Sequence, residues 1–199
     1  MLIVCTANVC RSPHAEFVME RILRGSSAFD SVRVGSAGLR AVPRGRICEL
    51  VARHDGADPA WAQFDAEHLS LRTRTARIEQ ARIVLTASRS NRAAVATLSP
   101  EARSRIFTLR EALWLGGDFR RDPSLSGEEA VAAFARHLDA RRGAGTPPRE
   151  RRLPFLPIRD PLSIADGHTR GRREHALTIR QVHEVAESVA RLLVSTAPV

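Results

Sequence analysis

Near the start of the chain stand Cys5-Thr6-Ala7-Asn8-Val9-Cys10-Arg11-Ser12-Pro13, a cysteine followed six residues later by an arginine, a serine and a proline. A thiolate is a strong nucleophile, and a guanidinium grips two oxygens of a phosphate at once. A serine hydroxyl donating to the sulfur steadies it as a leaving group. The chemistry this set favours is transfer of a phosphoryl group to sulfur, through a phosphocysteine. A phosphate is held there only if main-chain N–H groups converge on the same point. The flanking pattern provides that. Met1-Leu2-Ile3-Val4 is an apolar run that stops at Cys5, and from Ala15 the spacing of Phe17-Val18, Ile22 and Leu23 is helical. Pro13 suits the first turn of that helix, where its missing N–H costs nothing. Strand, tight loop and helix N-terminus form a cradle for an anion, and the helix dipole there favours Cys5 as the thiolate. Thr6, Ala7, Asn8, Val9, Cys10, Arg11 and Ser12 are the expected phosphate-binding residues, with Cys5 as nucleophile. A bare Cys-x5-Arg is common by chance; its place between a strand and a helix makes it specific.

The rest of the chain must position that loop. Its 199 residues suffice for one sizeable core, read as a single domain over 1–199. No apolar run approaches the length of a membrane span, and the first strand is too short for a signal peptide. Three cysteines make no disulfide framework and point to a reducing, cytoplasmic setting. The net charge of +9 rests entirely on arginine, with abundant alanine, a bias that looks like a GC-rich coding sequence. With aromatics at 5% and no tyrosine, a nucleic-acid face is not expected.

Val32-Arg33-Val34-Gly35 alternates and reads as a second strand running into the turn Ser36-Ala37-Gly38. Ile47 to Val51 begins a helix that carries Cys48 as a core residue, and Asp55 to Phe64 reads as irregular. Arg82 to Thr86 is a buried-strand pattern, Ser88 to Leu98 a helix, and Arg105 to Leu109 a further strand. Strands alternating with helices give an α/β fold with a parallel sheet covered on both faces. Residues 117–153 form an insertion, with an extra helix at about 127–142 and a mobile linker rich in Pro, Gly and Arg. A final amphipathic helix runs from Arg173 to Leu193.

The loop resembles that of the low-molecular-weight protein tyrosine phosphatases, Cys-x-Gly-Asn-x-Cys-Arg-Ser, matching it at Asn8, Cys10, Arg11 and Ser12 with Ala7 in place of the usual glycine. The match is to a bacterial member of the family with an insertion before its C-terminal helix. The resemblance implies a three-layer sandwich with four parallel strands in a flavodoxin-like order. It implies Ser36, of Ser36-Ala37-Gly38, as a brace for the phosphate loop, and His68 as a support for Asn8. The pocket wall at Leu39 to Arg46 lacks the aromatic the family often carries there. The implied reaction is hydrolysis of protein phosphotyrosine with no metal or cofactor, on a phosphorylated protein or small phosphate ester. A phosphate or sulfate ion should occupy the loop. No nucleic-acid or membrane partner is implied.

A carboxylic acid must protonate the leaving oxygen and later deprotonate water. The family places it in an Asp-Pro-aromatic loop before the last helix, and here Asp-Pro occurs at Asp58, Asp122 and Asp160. Asp160-Pro161 is followed by Leu162 rather than an aromatic. Asp166-Gly167-His168 lacks the proline but offers a ring, and its distance to His175 and Val182 fits the family's register better. Asp166 is favoured, then Asp160, then Asp122. Cys10 is read either as a disulfide partner for Cys5 or as a hydrophobic loop filler. Other readings on the same fold are a phosphoarginine phosphatase, although that group typically has Thr where Val9 stands, and an arsenate reductase, for which Cys48 alone gives poor support. A phosphate-binding pseudophosphatase is the reading from a different class.

Overall fold

Four short parallel strands form the middle of the molecule: β1 (Leu2–Cys5), β2 (Gly35–Gly38), β3 (Val84–Thr86) and β4 (Ile106–Thr108), in the order β2-β1-β3-β4. The computed structural model describes residues 1–147 and 160–196. Around the sheet lie α1 (Arg11–Leu23), α2 (Glu49–Asp55), α3 (Trp61–Glu67), α4 (Thr75–Gln80), α5 (Arg89–Leu98), α6 (Leu109–Leu115), α7 (Gly127–Ala140) and α8 (Arg172–Val194).

The layering follows from the strand period of two. Ile3, Leu85 and Phe107 join one core with Met19 of α1, Ala112 of α6, Phe134 of α7 and Val182 of α8. Leu2, Val4, Val84 and Ile106 join another with Ile78 of α4 and Val95 of α5. Both faces of the sheet are covered, so its strands carry no polar alternation. The three-layer, four-stranded parallel α/β sandwich expected from the sequence is the observed fold.

Several boundaries differ from expectation. The second strand is Gly35–Gly38 rather than Val32–Gly35, with Leu2 opposite Gly35 and Cys5 opposite Gly38. Val32 instead closes a turn by donating to the Phe29 carbonyl at 2.9 Å. Helix α1 begins at Arg11, so Arg11 and Ser12 already belong to its first turn. The stretch read as irregular contains α3, whose Trp61 and Phe64 pack on Phe17 at ring separations of 4.9 and 5.3 Å. Helix α6 follows β4 directly, started by a capping box between Thr108 and Glu111.

The expected extra helix is α7, capped by Ser126 with Glu129. It is no appendage: Ala130, Val131, Phe134 and Leu138 are all fully buried, and Phe119 meets Phe134 edge-on at 5.0 Å. The linker expected after it lies, from residue 148 on, outside the described residues.

Candidate active site

The loop after β1 is built by hydrogen bonds that converge on one side chain. Asn8 has φ +58°, a left-handed conformation that asparagine tolerates better than most residues. From that position its Nδ2 donates to Ser12 Oγ at 3.0 Å and to Ser36 Oγ at 2.7 Å, while its Oδ1 accepts from the Leu71 N–H at 2.8 Å. His68 Nε2 lies 3.0 Å from the Asn8 carbonyl oxygen and donates to it. Burial pushes the His68 imidazole below its usual range, so the ring is neutral. Ser36 and His68 thus meet the loop where the sequence reading put them, His68 through the main chain of Asn8 rather than its amide. Ala7 is not in the left-handed region, so the alanine in place of glycine is accommodated without strain.

This frame aims main-chain and hydroxyl donors at sulfur. The Asn8 N–H donates to Cys5 Sγ at 3.3 Å, and Ser12 Oγ lies 3.0 Å from the same sulfur. Arg11 is buried, its Nη1 donating to the Ile164 carbonyl at 3.2 Å and its Nη2 to Thr6 Oγ1 at 3.3 Å. Its other partner is Asp166, which forms an ion pair with Nη2.

Two glycines permit these close approaches. A Cβ on Gly38 would meet the backbone of Ala7, Asn8 and Thr6 at 2.8 to 2.9 Å, which is why β2 ends in a glycine beside the loop. A Cβ on Gly167 would come within 2.4 to 2.7 Å of Thr178, Glu174 and His175, so the segment carrying Asp166 can lie flat on α8. Thr178 Oγ1 donates to the Ala165 carbonyl at 3.2 Å and fastens it there.

The three aspartates separate by position. Asp166 is half exposed beside Arg11. Asp160 accepts from the Leu162 N–H at 3.1 Å and from Ser163 Oγ at 2.7 Å, while Ser163 and Ile164 bond to Arg89 and Ala87. It shapes the turn that carries Ile164 to Arg11. Asp122 closes an exposed turn on Ser124 and touches no loop residue.

Cys48 is more than the core residue expected of it. It caps α2 beside the loop, its N–H donating to the Val9 carbonyl at 2.8 Å. Cys10 Sγ lies 3.0 Å and Cys48 Sγ 3.5 Å from His175 Nε2. A hydrogen bond from Cys10 holds the Cys48 thiol down to about 6 despite burial. That same bond, with burial, pushes Cys10 above the ordinary thiol range. All three cysteines are free thiols, and Cys10 faces Cys48 and His175. The pairing of Cys48 with Cys10 escaped the sequence reading because the two lie 38 positions apart and only the fold joins them.

Comparison with known proteins places this geometry in context. The sequence profile of the family described as low molecular weight phosphotyrosine protein phosphatase matches residues 1–123. Low molecular weight protein-tyrosine-phosphatase Wzb of Salmonella typhi is 38% identical over 113 residues, covering 53% of this chain and 65% of Wzb. The chain thus spans slightly less than two thirds of that relative. In three dimensions it is similar to a YwlE mutant from Bacillus subtilis, with a TM-score of 0.60 and 19% identity over 96% of this chain and 95% of that one. YwlE arginine phosphatase from Geobacillus stearothermophilus gives 0.60 and 19% over 96% and 89%. At that identity the likeness establishes the shared fold.

Proposed function

The chain belongs to the low molecular weight phosphotyrosine protein phosphatase family, and from that premise we propose that it hydrolyses phosphotyrosine in proteins through a phosphocysteine on Cys5. The observation that carries the reading is the placement of Cys5 Sγ. It accepts from the Asn8 N–H and faces Ser12 Oγ, at the mouth of a loop closed by the Arg11–Asp166 pair.

In the first step the Cys5 thiolate attacks phosphorus in line with the leaving phenolic oxygen. The S–P bond forms as the P–O bond breaks, and Asp166 gives its proton to the departing oxygen. The phosphoryl oxygens lie against the loop amides and the Arg11 guanidinium, which is held in register by Ile164 and Thr6. Phosphate binding requires Arg11 to exchange its carboxylate partner for phosphate oxygens, so Asp166, no longer paired, takes up a proton from solvent and faces the leaving group. In the second step Asp166 takes a proton from water, whose oxygen attacks phosphorus. The S–P bond breaks, Ser12 receives the sulfur anion, and inorganic phosphate leaves. The chain's own groups complete both steps. Asp160 acts as a positioning residue through the turn to Ile164.

The identity of the Wzb relative favours phosphotyrosine, and the side chain at Val9 agrees with it. The free thiols fit a cytoplasmic setting, and among the described residues no helix is long and apolar enough to cross a membrane. The test is turnover of an aryl phosphate and of phosphotyrosine, phosphoarginine and phosphoserine peptides. Phosphotyrosine should be preferred, and Cys5→Ser should lower kcat by about 10⁵-fold or more, the scale on which loss of a nucleophile acts. Persistent turnover in Cys5→Ser would assign the nucleophile elsewhere, and preference for phosphoarginine would reassign the substrate.

A further inference from the structure

Behind the phosphate loop, on the side of α1 away from Cys5, four side chains from three helices point at one another. His14 comes from the first turn of α1, His54 and Asp55 from the end of α2, and His183 from α8. One ligand-type atom from each lies within 4.8 Å of all the others. Asp55 is the hub. Its Oδ2 is 3.0 Å from His14 Nε2, and its Oδ1 is 3.0 Å from His54 Nδ1 and 3.8 Å from His183 Nδ1.

Within the cluster His54 Nδ1 hydrogen-bonds to Asp55 Oδ1 at 3.0 Å, but His14 and the other Asp55 oxygen are not satisfied by the cluster's own contacts. His14 is fully buried and Asp55 nearly so, at 0% and 6% exposure. Among the described residues, His14 Nδ1 and Nε2, Asp55 Oδ2 and His183 Nδ1 have no hydrogen-bond partner. The 3.0 Å approach of His14 to Asp55 therefore lacks the alignment of a hydrogen bond. A buried imidazole with neither nitrogen paired carries a large desolvation cost. Two Lewis-basic atoms about 3 Å apart and not hydrogen-bonded are what neighbouring ligands of one small cation look like. Metal–ligand bonds of about 2.0–2.2 Å place tetrahedral ligands about 3.3 Å from each other.

We propose that His14, His54, Asp55 and His183 form a structural site for a divalent transition metal, Zn²⁺ being the ion that three imidazoles and one carboxylate in a tetrahedral set suit best. With Nδ1 of His183 toward Asp55, its Nε2 is on the side of Glu187, 3.9 Å from Oε2. His54 and His183 are partly exposed, which gives an ion a path and lets these two rings swing the last distance inward. Four protein ligands leave no open position, so the site would clamp α1, α2 and α8 together rather than bind substrate. The clamp sits one turn from Arg11, with the His14 N–H donating to the Cys10 carbonyl at 3.2 Å.

The test uses the reduced full-length protein, with Zn²⁺ binding measured by equilibrium dialysis and thermal unfolding, and Co²⁺ as an optical probe. The wild-type chain should bind one Zn²⁺ at this site and unfold at a temperature that rises with free Zn²⁺. His54→Ala combined with His183→Ala, both at the surface, should weaken binding by more than about 100-fold, beyond what loss of outer-shell partners costs. Cys48→Ser should leave the binding intact. The Co²⁺ adduct should show tetrahedral d–d bands without sulfur-to-metal charge transfer. Unchanged affinity in the double variant would overturn the site, as would a thiolate charge-transfer band lost in Cys48→Ser, which places the ion at Cys10, Cys48 and His175 instead.

Discussion

Helix α1 has a polar cluster on each side of its first turn, and the two are built on opposite principles. On the loop side, Cys5, Asn8, Ser12 and Ser36 pair with one another and with Leu71 and Ala37, so the buried polar atoms there have protein partners. On the far side, His14 and Asp55 are equally buried, yet His14's nitrogens and one Asp55 oxygen have none. The loop is therefore pre-organised: its geometry is fixed by internal bonds, and an arriving phosphate pays little to order it. The histidine cluster is stable only to the extent that something outside it supplies the missing partner. Within one turn of helix, one polar cluster is satisfied by its own bonds and the other is not.

The largest effect that sharpens this contrast comes from the acid. Asp166→Asn should lower kcat for a phosphate ester by about 10²–10⁴-fold, the usual worth of a positioned proton donor. Asp160→Asn should change it far less, since that carboxylate shapes a turn. The basic limb of the kcat/KM pH profile separates them, because a proton donor must be protonated to act and only its loss removes that limb. Equal losses in the two variants would show that the turn and the acid act as one unit.

Gly38→Ala attacks the loop without touching the histidines. Its methyl would press on the backbone of Thr6, Ala7 and Asn8, with a stability cost of about 1–3 kcal/mol for overpacking. A loop displaced by even a fraction of an ångström should also lose up to about 10²-fold in kcat/KM. Zn²⁺ binding should be unaffected in the same variant. Parallel loss of both would mean that the two clusters are one cooperative structure, and the contrast drawn above would fail.

Glu16 lies on α1 beside the loop cluster, with Ser36 as its hydrogen-bond partner, and burial pushes its carboxyl up to about 7. A raised folded-state value means the native protein holds a proton that the unfolded chain has released. Stability from this group is thus present at low pH and lost as pH rises from about 4.5 through about 7. Glu16→Gln removes that loss, so the variant should gain relative to wild type at pH 8, by about 3 kcal/mol at most, and gain little at pH 4. Chemical denaturation at the two pH values checks the sign. A variant equally affected at both would place the Glu16 carboxyl in the ordinary range.

What the sequence revealed, and what it hid, follows the same division. The loop was legible because its parts are contiguous: Cys5, Asn8, Arg11 and Ser12 need only a strand before them and a helix after. Asp166 was favoured by its register to α8, and the structure brings that aspartate to Arg11. The second strand was misplaced because Val32 and Val34 carry strand propensity while Gly35 and Gly38 do not. Packing overrode propensity, since only a glycine lets the loop backbone approach β2. Helix α6 carried a readable signal in Thr108 and Glu111, whose spacing is that of a capping box. The histidine cluster had no such local signature. His14 is 40 positions from His54 and 169 from His183, and nothing short of the packing of α1 against α2 and α8 brings them together.

The central claim is that Cys5 becomes covalently phosphorylated during turnover, and it can be tested by acid-quenching Asp166→Asn in mid-reaction with an aryl phosphate, then mapping the phosphate by mass spectrometry. The account predicts one phosphoryl group on the peptide containing Cys5, because slowed water attack lets the intermediate accumulate, and none when Cys5 is also replaced by alanine. Continued turnover with phosphate on another residue, or on none, would contradict it.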